Sequence, residues 1–280
     1  MTTDERKVGR RGAIALRDAE GFIFDMDGVL YRGKRALAGV VEIFDALDAR
    51  GIPYLLATNN SMATPAMYVE RLKGYGVTVD ASQIQTSATA TRDVLGHEFP
   101  EGGTLFVVGM PALDEQLQDG TDFHITSDPT DDIVAVVVGL DQQFTYDKLA
   151  AATTAIRGGA RFFATNDDAT LPVEDGILPG AGSIIAAIAT ASGRQPTVVG
   201  KPQTLMMTDA VERLGSQAHC TVMIGDRLDT DILAAERAGL TTALVLTGVT
   251  TREELAAGES VPDYVFSDLP ALTRELVGTD

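Results

Sequence analysis

Two carboxylates, Asp25 and Asp27, stand at the end of the apolar run Phe22-Ile23-Phe24 and are followed at once by Gly28. Side chains alternate along a strand, so positions 25 and 27 share one side of its C-terminal end. Two anions that close repel each other and make poor core packing. They suit a divalent metal, or a nucleophile beside an acid/base; an ordinary loop-capping acidic pair is the plain alternative. Three further clusters carry residue types of the same kind. Ala57-Thr58-Asn59-Asn60-Ser61 offers a hydroxyl, amides and backbone N–H groups that can bind phosphate oxygens, or else a turn ahead of a helix. Val199-Gly200-Lys201-Pro202 sets Lys201 beyond an apolar stretch, where a lone surface lysine is the bland reading. Ile224-Gly225-Asp226, with Asp229 and Asp231 close behind, adds carboxylates that a solvated, dipole-favoured helix start would also explain. Oxygen donors in this number suit Mg²⁺ rather than zinc, because no cysteine or histidine cluster accompanies them. His97, His124 and His219 lie outside all four clusters, which argues against histidine catalysis. Neither a G-x-S-x-G elbow nor a G-x-x-x-x-G-K-[ST] loop occurs.

Each cluster follows an apolar, β-branched stretch, and helical patterns lie between. Residues 21–25, 52–58, 197–199, 221–225 and 242–247 read as strands. Residues 39–50, 64–73, 203–214 and 229–239 read as helices, the second opened by Thr64-Pro65 as N-cap and first helical residue. This β-α-β-α rhythm predicts an α/β protein with a Rossmann-like parallel sheet covered on both faces and a ligand beyond its C-terminal strand ends. The middle of the chain reads as a second α/β unit. It has strands near 104–109, 133–140 and 160–164, helices near 111–117 and 146–158, and a long loop at 166–182 rich in Asp, Pro and Gly. The expectation is a core of residues 1–86 plus 196–280 interrupted by an inserted domain at 87–195.

The 280 residues carry a net charge of −18, which disfavours nucleic acid and anionic membranes as partners. An anionic substrate then has to be met by local positive charge or by a metal. Only five lysines occur, so 22 − 5 leaves 17 arginines, a balance that fits a salt-rich cytoplasm and ordinary compositional drift alike. No apolar run reaches membrane-spanning length, and residues 1–11 are charged with no apolar segment behind them. The single cysteine, Cys220, reads as a buried strand residue. Together these features predict a cytoplasmic protein with no disulfide.

The order Asp25-Met-Asp27-Gly28-Val-Leu30, Thr58-Asn59-Asn60, Gly200-Lys201-Pro202 and Gly225-Asp226-Arg-Leu-Asp229-Thr-Asp231 resembles the haloacid dehalogenase superfamily. More narrowly it is similar to the subgroup with a large α/β cap between the second and third motifs, which holds the NagD-like, 4-nitrophenyl phosphate, phosphoglycolate and pyridoxal phosphate phosphatases. The likeness covers nearly the whole chain. It implies a core with an inserted cap and a Mg²⁺-dependent phosphatase of small phosphorylated metabolites. In that reading Asp25 is the nucleophile and Asp27 the acid/base. Mg²⁺ sits on the Asp25 carboxylate, the Asp27 main-chain carbonyl and Asp226. Asp231 supports the metal indirectly, and Asp229 either holds Lys201 or caps the next helix. Thr58, the Asn59–Asn60 region and Lys201 hold the phosphoryl oxygens. The stretch Thr165-Asn166-Asp167-Asp168-Ala-Thr-Leu171-Pro-Val-Glu174-Asp175-Gly176 resembles the specificity loop of the glycolate- and nitrophenyl-phosphatase branch, with Asn166, Asp168 and Leu171 on the substrate side. Pyridoxal phosphatases have a histidine where this chain has Leu171, which disfavours that substrate; a nucleotide phosphatase remains a family alternative. Caps of the subgroup often form dimers, so a homodimer is a further expectation. Two readings compete with turnover: a receiver-like module that stores a phosphoryl group on an aspartate, and a non-catalytic binding protein of the same fold.

Overall fold

A computed structural model of the protein describes residues 13–130, 132–173, 176–257 and 260–278. The charged N-terminal stretch and, in the predicted specificity loop, Glu174 and Asp175 lie outside the described residues. Two compact units are present. One lies within Met1–Thr58, Tyr68–Gln85 and Lys201–Asp280, the other within Asn59–Met67 and Thr86–Gly200.

The first unit is built on a six-stranded sheet in the order Tyr264–Phe266, Thr241–Val245, Thr221–Gly225, Gly21–Phe24, Tyr54–Thr58, Ile84–Thr86. Gly21–Phe24 runs parallel to both its neighbours, with Phe24 level with Leu56 on one side and Ile224 on the other. Phe22, Ile23 and Phe24 are all fully buried, as are Val222, Met223 and Ile224. Burial of successive residues means that both sheet faces are covered, as parallel sheets require. The first strand therefore sits between the second and a strand from the far end of the chain. That is a point where the strand order reverses, and the crevice beyond the strand ends there is where open α/β sheets bind ligands. Helices Val40–Arg50, Leu205–Leu214 and Leu269–Val277 each stop at a glycine in the left-handed conformation, Gly51, Gly215 and Gly278.

The second unit has a five-stranded parallel sheet in the order Thr197–Val198, Arg161–Ala164, Ile133–Val138, Gly103–Val108, Phe123–Thr126. Its apolar core joins Val136, Val138 and Phe162 of the sheet to Ile156 of helix Tyr146–Gly158 and Ile188 of helix Ala181–Ser192.

Three features depart from the sequence expectation. Residues 197–198 pair with Arg161–Ala164, Thr197 level with Phe163, so this strand extends the second sheet instead of the first. The stretch read as a long loop contains an antiparallel hairpin, Thr170–Val173 with Gly176–Pro179, with Leu171 level with Leu178. Its Pro and Gly residues mask the strand signal, because this two-stranded ribbon tolerates prolines that a central strand does not. Cys220 closes the 3₁₀ turn Ala218–Cys220 ahead of the strand and is partly exposed, not buried within it. Among the described residues, no helix is long and apolar enough to cross a membrane.

Candidate active site

Three adjacent parallel strands each end at an expected site residue. Asp25 follows Phe24, Thr58 ends Tyr54–Thr58, and Asp226 follows Gly225. The Asp25 N–H donates to the Ile224 carbonyl at 2.8 Å, which continues the ladder up to the first carboxylate. Asp231 arrives by a different route. The chain after Asp226 makes one π-turn, Leu228–Ile232, before the helix Leu233–Ala238, and the extra residue per turn swings Asp231 back under the strand end. Gly225 is required there, since a Cβ at that position would overlap the Asp231 side chain.

Lys201 is the centre of the cluster. It is only 1 % exposed, and its Nζ donates to Asp231 Oδ1 at 2.7 Å, to Asp25 Oδ1 at 2.5 Å and to the Ala57 carbonyl at 3.2 Å. Burial alone would lower the lysine's pKa. The charges of Asp231 and Asp25 outweigh it and hold the ammonium protonated. Asp231 has no oxygen to spare. Besides Lys201 it accepts the backbone N–H groups of Asp226 at 3.2 Å and Arg227 at 3.1 Å.

The cluster is short of positive charge. Asp25, Asp226 and Asp231 each bring a carboxylate oxygen within 4.8 Å of the others. Burial pushes the Asp25 carboxyl well above its ordinary range; Lys201 pulls it back, and Asp231 and Asp226 push it further up. Asp226 is pushed up to about 7 by burial and then by Asp231, against the pull of the Val249 N–H, Lys201 and Arg227. One ammonium faces three carboxylates, two of them buried and the third, Asp25, nearly so.

Asp27 is separate from this cluster and exposed. The protein packed around it still raises its pKa, opposed by the charges of Arg71 and Arg32. Gly28, at φ +85°, turns the chain directly after it, and the Gly28 N–H donates to the Tyr31 carbonyl at 2.8 Å. Arg71 lies over the ring of the buried Tyr31 at 5.1 Å and over that of Tyr68 at 5.5 Å, so a cation–aromatic layer packs beside the Asp27 turn. Motif spacing gives no sign of Arg71; the helical period that buries Tyr68 and Leu72 is the only sequence signal for that face.

The remaining expected residues have partners of their own. Asp229 is paired with its own neighbour Arg227, at 2.8 and 3.0 Å, and that pair holds its carboxyl below the ordinary value; the partner of Lys201 is Asp231. Asn59 and Asn60 belong to the second unit. Asn60 Oδ1 accepts the Met62 N–H at 2.8 Å in an Asx turn, and Asn59 Nδ2 donates to Asp168 at 3.2 Å. Asn166 is buried and braces the same place, donating to the Asn59 carbonyl at 2.8 Å and accepting the Asp168 N–H at 3.2 Å. Gly180 and Gly182 let the start of the next helix close onto the backbone of Asp167 and Asp168, where a Cβ would collide.

Comparison with known proteins agrees with this architecture. Residues 22–121 match the model of the haloacid dehalogenase-like hydrolases, and residues 198–272 match the HAD-hydrolase-like model. An acid sugar phosphatase of Staphylococcus epidermidis is 35 % identical over 261 residues, covering 93 % of this chain and 99 % of the relative. The structure of a p-nitrophenyl phosphatase from Archaeoglobus fulgidus superposes with a TM-score of 0.86 at 34 % identity, covering 92 % of this chain and 99 % of that one. A glycerol phosphate phosphatase from Mycobacterium tuberculosis, solved in complex with magnesium, gives a TM-score of 0.85 at 34 % identity, covering 93 % of this chain and 78 % of that one. The chain belongs to the haloacid dehalogenase-like hydrolase family and, within it, to the NagD-like subgroup.

Proposed function

We propose that the protein hydrolyses small phosphate monoesters through an aspartyl-phosphate on Asp25, with Mg²⁺ at the adjoining carboxylates. The chain is a phosphoric monoester hydrolase. The observation that carries the mechanism is the buried Lys201 bridging Asp25 and Asp231 beside a third carboxylate. Asp25 attacks phosphorus and forms the P–O bond as the ester oxygen leaves. Asp27 gives that oxygen a proton and afterwards takes one from the water that cleaves the acyl phosphate. Lys201 and Thr58 hold phosphoryl oxygens, and the fixed ammonium offsets charge developing there.

The donor set fits Mg²⁺. It is all oxygen, and burial raises the pKa of both Asp25 and Asp226, as expected of a carboxylate pair awaiting a cation. Asp25, the Asp27 main-chain carbonyl and Asp226 are the residues that would hold the ion. Bound Mg²⁺ supplies positive charge that neutralises the phosphoryl oxygens. Asp231, its oxygens already engaged, supports the site through Lys201 and the Asp226 backbone. The single cysteine and acidic surface support action in the cytoplasm on soluble metabolites such as phosphoglycolate, sugar phosphates or nitrophenyl phosphate.

The test is phosphate release across a panel of such esters, with Mg²⁺ and with excess chelator. Many turnovers per enzyme with Mg²⁺ and none with chelator are expected. Release that stops at one equivalent would favour the receiver-like reading. A second test bears on Asp27. Asp27→Asn is expected to slow hydrolysis of a sugar phosphate by on the order of 10²-fold. Phosphoenzyme formation from nitrophenyl phosphate should suffer less, because nitrophenolate leaves without a proton. Equal loss with both leaving groups in a rapid-quench measurement would remove Asp27 from the acid role.

A further inference from the structure

Residues 247–250, Thr-Gly-Val-Thr, carry no carboxylate, side-chain amide or lysine, yet they lie directly against Asp226. The Val249 N–H donates to Asp226 Oδ2 at 2.6 Å, and the Thr250 N–H donates to the Asp226 carbonyl at 3.1 Å. Gly248 lies so close that a Cβ on it would overlap the Asp226 carboxylate, and a Cβ on Gly28 would meet the same group. Two further bonds tie the turn to the opposite strand end. Thr247 Oγ1 donates to the Gly28 carbonyl at 2.7 Å, and Arg32 Nη2 donates to the Gly248 carbonyl at 2.6 Å.

We infer that this turn is a positioning element of the metal site and that Thr247 is its anchor, an inference that rests on the Mg²⁺ reading above. The proposed ligands come from two separate strands, Asp25 and the Asp27 carbonyl from one, Asp226 from another. Hydrogen bonds within each strand do not fix the Asp226 carboxylate against the peptide after Asp27. The turn does both at once. Its Val249 N–H takes one oxygen of Asp226 and so fixes the rotation of the carboxylate. Its Thr247 hydroxyl holds the Gly28 carbonyl, one peptide beyond the carbonyl of Asp27. Loss of a partner that orients a metal ligand typically weakens metal affinity by about 10- to 100-fold. Gly248 is what allows so close an approach, and Arg32 latches the turn from the hairpin Tyr31–Arg32 with Arg35–Ala36.

The experiment is Mg²⁺ titration of the full-length, substrate-free protein by calorimetry, for wild type, Thr247→Val and Thr247→Ser. Thr247→Val keeps the shape and loses the hydroxyl; about tenfold weaker Mg²⁺ binding is expected. Thr247→Ser restores the hydroxyl and is expected to bind close to wild type. Thr247→Val binding as tightly as wild type, or Val and Ser weakened alike, overturns the inference, whatever either does to the melting temperature. Should Thr247→Val not fold, Arg32→Met takes its place, since Arg32 is exposed. Weaker Mg²⁺ binding by that variant supports the turn's role, and unchanged binding overturns it. A wild-type protein that takes up no Mg²⁺ overturns the metal reading itself and this inference with it, which separates the two failures.

Discussion

Asp25→Asn is expected to lose turnover by on the order of 10⁵-fold or more, because the proposed nucleophile is gone and the neighbouring groups would act only through it. No acid-stable phosphoenzyme should be trapped after rapid quench with a labelled ester and Mg²⁺. The fold should survive the change. The Asp25 pKa is raised by burial, so the folded protein holds that proton more tightly than the unfolded chain does. Ionisation then costs stability as the pH rises above the usual carboxylate range, and full protonation removes the cost. An uncharged Asn is spared it. Without Mg²⁺, Asp25→Asn is therefore expected to melt no lower than wild type at pH 8, and any advantage should shrink toward pH 4. Residual turnover within tenfold of wild type would sink the nucleophile assignment. A clear drop in melting temperature at pH 8 would show instead that the tie to Lys201 outweighs the crowding of carboxylates.

The second large effect is expected at Lys201. Lys201→Met leaves Asp25 and Asp231 facing each other with no counter-charge. Removing one partner from a buried ion cluster costs about 3–5 kcal/mol. For a chain of this size that is roughly 6–20 °C of melting temperature. The sign with pH follows from the groups concerned. The raised lysine pKa means that its contribution is present throughout the neutral range and is lost only in strong alkali. Burial and Asp231 already push the Asp226 carboxyl up to about 7 with the lysine in place, so at pH 5 acids in the variant are expected to take up protons and relieve one another. The destabilisation should accordingly be larger at pH 8 than at pH 5. Turnover should fall by about 10²–10³-fold as well, the usual loss when a charge-stabilising donor is removed. Lys201→Arg should not restore it, because a planar guanidinium does not fit where a compact ammonium meets Asp231, Asp25 and a main-chain carbonyl. An equal loss of stability at both pH values would place the defect in packing instead of charge.

Much of the first unit was legible in local sequence. Phe22-Ile23-Phe24 and Val222-Met223-Ile224 are apolar throughout because both sheet faces are covered, and each strand is followed by its carboxylate at the predicted place. In the second unit, helix Tyr146–Gly158 has the predicted bounds because Thr145 caps one end and Gly159 stops the other. Thr197–Val198 shows the limit. A two-residue β-branched strand carries no information about its partner, and only the packed second unit decides that it lies beside Arg161–Ala164. The hairpin at 170–179 was hidden for a related reason, since its pairing is local but its composition is that of a loop.

The same division runs through the site. Residue types and their order at strand ends were enough, by themselves, to mark Asp25, Asp27, Lys201 and Asp226 as candidates and to point to oxygen-donor, phosphoryl-type chemistry. They could not say which acid holds the lysine. Asp229 and Asp231 are alike in type and two residues apart, and the π-turn alone directs one to Arg227 and the other to Lys201. Nor could they reveal residues 247–250, whose contribution to Asp226 comes chiefly from backbone N–H groups that every residue but proline possesses. Sequence by itself determined the family and the candidate groups for its chemistry, because those depend on residue type and order. Tertiary structure decided how the groups are partnered and charged, because hydrogen bonds and burial depend on where the chain brings distant segments together.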